Sequence, residues 1–184
     1  MAAYMFAIGK IEMFAYYYLF VLMHELSHIL VALILKVDVK EIELLPIGIN
    51  AKYENKISLI RELIISLAGP IASIIFSIIF ENKIFVFMNI CIAIFNLIPI
   101  YPLDGGRIVQ STLKMIFGEY IGKKLSYTIT KFFLIILSLV SLFLAAYAQN
   151  YYFIILTIYV LYIAKEEVKK EHFYGIINYL QIDE

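Results

Sequence analysis

The sequence predicts an all-α polytopic membrane protein of about five to six transmembrane helices, and three observations support this. Hydrophobic residues make up 63% of the 184 positions and charged residues 16%, against roughly 45–50% and about 25% in soluble domains. Mean hydropathy is +0.89. The apolar residues gather in runs close to the ~20 residues that cross a bilayer as a helix, and short polar stretches between the runs hold most of the charge. One small core has no room for such an excess of apolar side chains.

Met1 to Ile8 is apolar but too short to span, and reads as the second half of a helix whose first half is missing. No basic start or small-residue cleavage site marks it as a cleavable signal. The first full span is Met13 to Leu35, interrupted only by His24, Glu25 and His28. A short strand pair or an interfacial loop is expected over Val37 to Lys56, where β-favouring residues are broken by Pro46 and Gly48. The second span, Ile57 to Phe80, carries Gly69-Pro70 inside it. Its Ser66, Gly69, Ser73 and Ser77 recur at helical spacing as a small-residue face for close helix approach. A third span runs from Ile84 to about Pro99. The segment Ile100-Tyr-Pro-Leu-Asp-Gly-Gly106 cannot continue a regular helix. A new helix is expected from Asp104, with Arg107, Gln110 and Lys114 on its polar side. Phe132 to Ala148 and Tyr151 to Ala164, separated by Gln149-Asn150, read as a helical hairpin whose second arm extends into a charged tail. The expected organisation is one transmembrane domain over 1–184, with a core at 13–117 and a C-terminal hairpin and tail at 127–184.

Net charge is zero, which points to neither nucleic acid nor an acidic partner. Cys91 is the single cysteine, so no internal disulfide or thiolate cluster can form; it is expected as a small buried hydrophobe. Thirteen of the fifteen Lys and Arg fall on one side of the predicted spans, with Lys10 and Lys83 on the other. The positive-inside rule places the richer side in the cytoplasm.

His24-Glu25-Leu26-Ser27-His28 has the pattern H-E-x-x-H within a predicted membrane helix. Positions i and i+4 share one helix face, so both imidazoles can reach one ion. Glu25 sits one position round the helix, where a general base could act on water. Imidazole and carboxylate ligands with an open position suit one Zn2+ per chain, which makes hydroxide available near neutral pH. The pattern is short, but three titratable residues within five positions of a span are costly and mark function. For the third ligand, Asp104 lies in the proline- and glycine-bounded break, whereas Asp38 and Asp183 do not. On residue type alone Asp104 suits a helix N-cap or an Arg107 partner as well as a metal. His172 in the charged tail is the rival ligand, and Glu81 lies between spans on the opposite side.

H-E-L-S-H in one span, and Asn96-Leu-Ile-Pro-Ile-Tyr-Pro-Leu-Asp-Gly-Gly106 at the end of another, resemble the two signature motifs of the site-2 protease family. The resemblance runs over about Gly9 to Gln181 and is strongest to the sporulation branch, the stage IV sporulation protein FB type. Ala68-Gly69-Pro70 resembles the family's middle core helix, and Leu44 to Gly48 its surface hairpin. It implies Asp104 as third zinc ligand and Asn96 as a residue that positions substrate or stabilises the oxyanion; without it, Asn96 serves equally well in helix packing. It further implies regulated intramembrane proteolysis of a membrane-associated substrate, such as a sigma-factor precursor in the cell or forespore membrane, and an inhibitory membrane partner. The chain carries no room for a PDZ insertion and ends where a CBS domain would begin.

The expected site is a zinc ion inside the membrane, nearer the cytoplasmic face. His24 and His28 lie roughly 16 and 22 Å from Met13 along a ~30 Å core. Substrate would unwind there, because helical peptide bonds are shielded by their own hydrogen bonds. A zinc or proton transporter is the alternative from another class, since intramembrane His and Asp also mark ion paths. The later spans, however, add only Ser, Thr and Tyr. A catalytically inactive scaffold is the third reading, and the intact Glu25 argues against it.

Overall fold

A computed structural model describes residues 11–37, 39–45, 48–53, 57–148 and, between 154 and 165, all but 156 and 163. Met1 to Ile8, Asp38, Asp183, His172 and the Gln149-Asn150 link lie outside these residues. The chain divides into two compact units, Met1–Leu97 and Ile98–Glu184.

The first unit opens with helix α1, Ile11–Ile34. Its buried residues Phe20, His24, His28 and Ala32 form one i, i+4 row, so both histidines face protein and not lipid. The helix ends where Lys36 turns left-handed at φ 54°. Val37 N–H donates to the Ala32 carbonyl at 2.9 Å and Lys36 N–H to the Leu33 carbonyl at 3.0 Å. These two bonds are a Schellman closure, and its usual hydrophobic contact is present: Ala32 and Val37 are buried together with Ile65. The chain leaves this turn into two antiparallel strands, β1 (Val39–Leu45) and β2 (Gly48–Tyr53). Leu44 pairs with Ile49 and Glu41 with Lys52, and an irregularity lies between Val39 and Glu41. A strand pair, not a plain loop, therefore follows α1.

Helix α2, Leu59–Ile79, starts at Ser58, whose hydroxyl accepts from Arg61 N–H at 3.4 Å. It continues through Pro70, which removes one donor from the ladder without ending it. Helix α3, Lys83–Asn96, is capped by Asn82, whose side chain accepts from Ile84 N–H at 2.9 Å. The link between α2 and α3 is so short that they run antiparallel, and α2 also packs along α1. Phe20, Val21 and Ile92 form the core here, with Phe80, Phe85 and Met88 against it. The Phe20 ring lies 5.4 Å from Phe80 and 5.3 Å from Phe85, within the range of favourable aromatic pairs.

In the second unit the segment after Leu97 is knitted by Ile100 N–H to the Ile98 carbonyl at 2.7 Å and Leu103 N–H to the Ile100 carbonyl at 2.8 Å. Tyr101 N–H donates to Thr130 Oγ1 at 3.1 Å. Helix α4, Asp104–Phe117, then begins, and a single residue, Gly118, separates it from α5, Glu119–Ala148. Gly118 has φ 82°, a conformation side chains resist. The last helix predicted before Ala148 therefore starts well ahead of 127. Its polar opening turns are held by Glu119, which pairs with Lys114 at 3.1 Å and Lys123 at 3.7 Å; the apolar run marked only the later part. Described residues between 154 and 165 are helical, which agrees with the second arm.

Among the described residues three helices are long and apolar enough to cross a membrane: Ile11–Ile34, Leu59–Ile79 and Glu119–Tyr147. The shorter Lys83–Asn96 is also apolar. Polar and apolar have changed places relative to a soluble protein. Ser66, Ser73, Asn89, Gln110, Ser111 and Ser126 are buried, whereas Ile78 is 79% exposed. Cys91 is exposed and not buried, because an apolar run facing lipid carries no sign of which side is the core.

Gly106 sits where the chain folds back. A Cβ there would strike the backbone of Ile100 and Tyr101, which cannot yield as a side chain can. Gly106→Ala should therefore cost about 1–3 kcal/mol or more, seen as an earlier denaturant midpoint for the purified protein in micelles.

Candidate metal centre

The two histidines of α1 meet the small-residue face of α2. His28 Nδ1 donates to the Ile65 carbonyl at 2.7 Å, and His24 Nδ1 lies 2.9 Å from Ser73 Oγ. Both rings are anchored at Nδ1, so both turn Nε2 the same way. The two Nε2 atoms are 3.4 Å apart, with the rings at 79° to each other.

That spacing tests the fit of a metal. Two nitrogens each about 2.0–2.1 Å from a tetrahedral zinc lie about 3.3–3.4 Å apart, which matches the observed distance. A partner on the second ring nitrogen is the usual support of a metal-binding histidine, since it sets the tautomer and the ring plane. The Ile65 carbonyl can only accept, so His28 carries a hydrogen on Nδ1, which makes Nε2 the ring nitrogen able to offer a lone pair to a metal. Two imidazole nitrogens at this spacing, buried in an apolar unit, fit a divalent cation.

Gly69 explains the serine and glycine spacing along α2. A Cβ on Gly69 would lie 2.6 Å from His24 Nε2 and closer still to His28 Nε2. The rings occupy the space that any side chain would fill. Sequence reasoning marked this face as a packing surface but did not see that its contents are imidazoles, nor that Ser73 and the Ile65 carbonyl are their partners. The 66, 69, 73 spacing opposite an H-E-x-x-H helix was the available signal.

The remaining residues are placed individually. Glu25 is half-buried beside His24 on α1. Asn96 closes α3, and its Nδ2 donates to the Ile92 carbonyl at 3.1 Å. Asp104 is the first residue of α4 and half-buried; the cap position is Leu103, which offers no side-chain hydrogen bond. Asp104 thus does not take the N-cap role that its residue type allowed. Gln110 of α4, expected on a polar side, is fully buried.

Gly69→Ala should leave the helices intact, because the rings can swing, yet cost them their Nδ1 partners. Zinc affinity measured by chelator competition is expected to fall about 10- to 100-fold, with unchanged helical circular dichroism. An unchanged affinity would show that the rings do not need this cradle.

Similar proteins agree with this geometry. Peptidase family M50 matches residues 13–84 and 82–140. The chain is 32% identical over 162 residues to the zinc metalloprotease MJ0392 of Methanocaldococcus jannaschii, covering 80% of this chain and 46% of that protein. It is 32% identical over 105 residues to the stage IV sporulation protein FB of Bacillus subtilis, covering 50% of this chain and 36% of that protein. The chain thus spans less than half the length of either curated relative. The solved site-2 protease from Methanocaldococcus jannaschii superposes with a TM-score of 0.68 at 31% identity, over 86% of this chain and 78% of that one. Together with the polar core and the long apolar helices, these matches make the chain an integral membrane protein that belongs to Peptidase family M50, the site-2 protease family.

Proposed function

We propose that this chain is an intramembrane zinc metalloendopeptidase that cuts a membrane-associated protein, with residues 1–184 acting as one protease domain. The observation that carries the proposal is the pair of buried histidines with tied Nδ1 atoms and Nε2 atoms 3.4 Å apart. It stands in a membrane helix of an M50 chain.

His24, His28 and Asp104 are the proposed ligands. A zinc ion, when bound, supplies activation of water and polarisation of a carbonyl. Glu25, next to His24, takes the proton of the attacking water and returns it to the departing amine. Asn96 meets the substrate. One of its N–H groups is engaged with Ile92, which leaves a second N–H and the amide oxygen for an unwound backbone. The positive-inside count supports an active site toward the cytoplasmic side. The match to stage IV sporulation protein FB supports a sigma-factor precursor as substrate, with an inhibitory membrane partner in the same setting.

Co-expression with a membrane-tethered sigma-factor precursor tests the chemistry. Glu25→Gln should retain about one zinc per chain, yet lose about 10²–10⁴-fold in cleavage. Normal cleavage with normal zinc would remove Glu25 from the mechanism. A parent protein that cuts nothing but carries zinc into liposomes would make it a transporter. The ligand set is tested separately by metal analysis. Asp104→Asn should reduce both zinc and cleavage, while His172→Ala should change neither; the reverse pattern would transfer the third ligand to His172.

A further inference from the structure

Helices α4 and α5 form a hairpin joined by Gly118 alone, and contacts fix their spacing at both ends. Beside the turn the two backbones touch: a Cβ on Gly122 would lie 2.5 Å from Lys114 N and 2.6 Å from its Cα. Two turns further on, a length of main chain stands between the helices. Gly106 of α4 meets the backbone of Ile100 and Tyr101, and Tyr101 N–H donates to Thr130 Oγ1 of α5 at 3.1 Å. The hairpin is therefore a wedge, closed at Gly122 and held open at Thr130.

The middle of this wedge is polar. On α4, Gln110 lies four residues from Lys114 and four from Gly106; on α5, Ser126 lies four from Gly122 and four from Thr130. Residues spaced by four share one helix face. The two rows meet at both ends, so Gln110 and Ser126 lie opposite each other between them, and Ser111, three residues from Lys114, borders the same face. All three are at most 2% exposed. Gln110 Nε2, Ser111 Oγ and Ser126 Oγ have no hydrogen-bond partner among the described residues, so none of them bonds another. The nearby hydroxyls of Thr112 and Thr128 donate within their own helices, to the carbonyls four residues earlier at 2.7 and 3.0 Å. Ser111 and Ser126 do not take that route.

These groups define the chemistry of what joins them. An amide N–H can only donate, whereas a hydroxyl donates and accepts. Their partner must accept from Gln110, bond two hydroxyls and be small enough for a gap between packed helices. It has no need of charge, because Lys114, the cation on the same row, is already paired with Glu119 at 3.1 Å. A water meets each requirement, and three hydrogen bonds are usual for a buried one.

We propose that one water is bound in this wedge, accepting from Gln110 Nε2–H and sharing one hydrogen bond each with Ser111 Oγ and Ser126 Oγ. The water is a third member of the α4–α5 contact and holds the helix that begins at Asp104 at a set distance from α5. The site stands on the geometry of the hairpin and is independent of any metal.

Thermal unfolding of the full chain in micelles reads the sign of each group's contribution. Ser111→Ala and Ser126→Ala should each lower the midpoint by about 2–12 °C, because each strands the water and the groups still facing it. The double variant should lose little more than either single one, since both changes break one bridge between side chains that do not bond each other. Gln110→Leu combined with both alanines removes every group that needs the water, and should recover part of the loss. A single alanine variant as stable as the parent, or more so, would show that the hydroxyl has no partner to lose and would overturn the proposal. So would losses that simply add. If the triple variant does not fold, the serine pair alone carries the comparison. Full-length protein labelled with ¹⁵N-glutamine gives a direct reading. The Gln110 side-chain N–H, assigned by its loss in Gln110→Leu, should show a cross-relaxation peak to a long-held water. A parent in which that amide is seen without such a peak would also overturn the site.

Discussion

Lipid offers no hydrogen bonds, so a polar group within it must find its partner in the protein or pay the desolvation cost in full. The first unit is organised by that constraint. Two imidazoles on α1 need hydrogen-bond partners at depth, and α2 supplies one from its backbone and one from a side chain. The supply works only if α2 comes very close, which is why glycine and serine line its inner face while Ile71, Ile74, Ile75 and Ile78 face outward.

The histidine pair is also bracketed along α1. In the row Phe20, His24, His28, Ala32 the two outer members are anchored in apolar clusters. The cluster at Ala32 contains Ile65, the residue whose carbonyl holds His28. The Schellman closure at Lys36 completes that cluster with Val37. The helix terminus, the apolar contact and the imidazole partner are thus parts of one arrangement, and none of them can be moved without moving the others.

Much of this was legible in the sequence. Run lengths located α1, α2 and α3, and the proline-glycine break predicted a new helix at Asp104. H-E-x-x-H named the two imidazoles that the first unit brings together. Exposure was not legible: Cys91 was assigned to the core, because hydropathy alone does not separate a lipid face from a core face. The start of α5 was also misplaced, since charged turns paired by Glu119 are as helical as the apolar turns after them. The imidazole partners were hidden for another reason. One is a main-chain carbonyl, which no residue type announces, and the other is a serine among several with the same spacing.

The difference between those two partners bears on how the site withstands mutation. The acceptor of His28 belongs to the backbone of α2, so replacing the side chain of Ile65 leaves that acceptor in place. The α2 partner of His24 Nδ1 is a side-chain hydroxyl, and one nucleotide change can erase it. Genetic drift can therefore reach one imidazole far more easily than its neighbour. Under relaxed selection, decay of this centre should begin on the His24 side, while the His28 side keeps its geometry until the packing of α1 against α2 is itself lost.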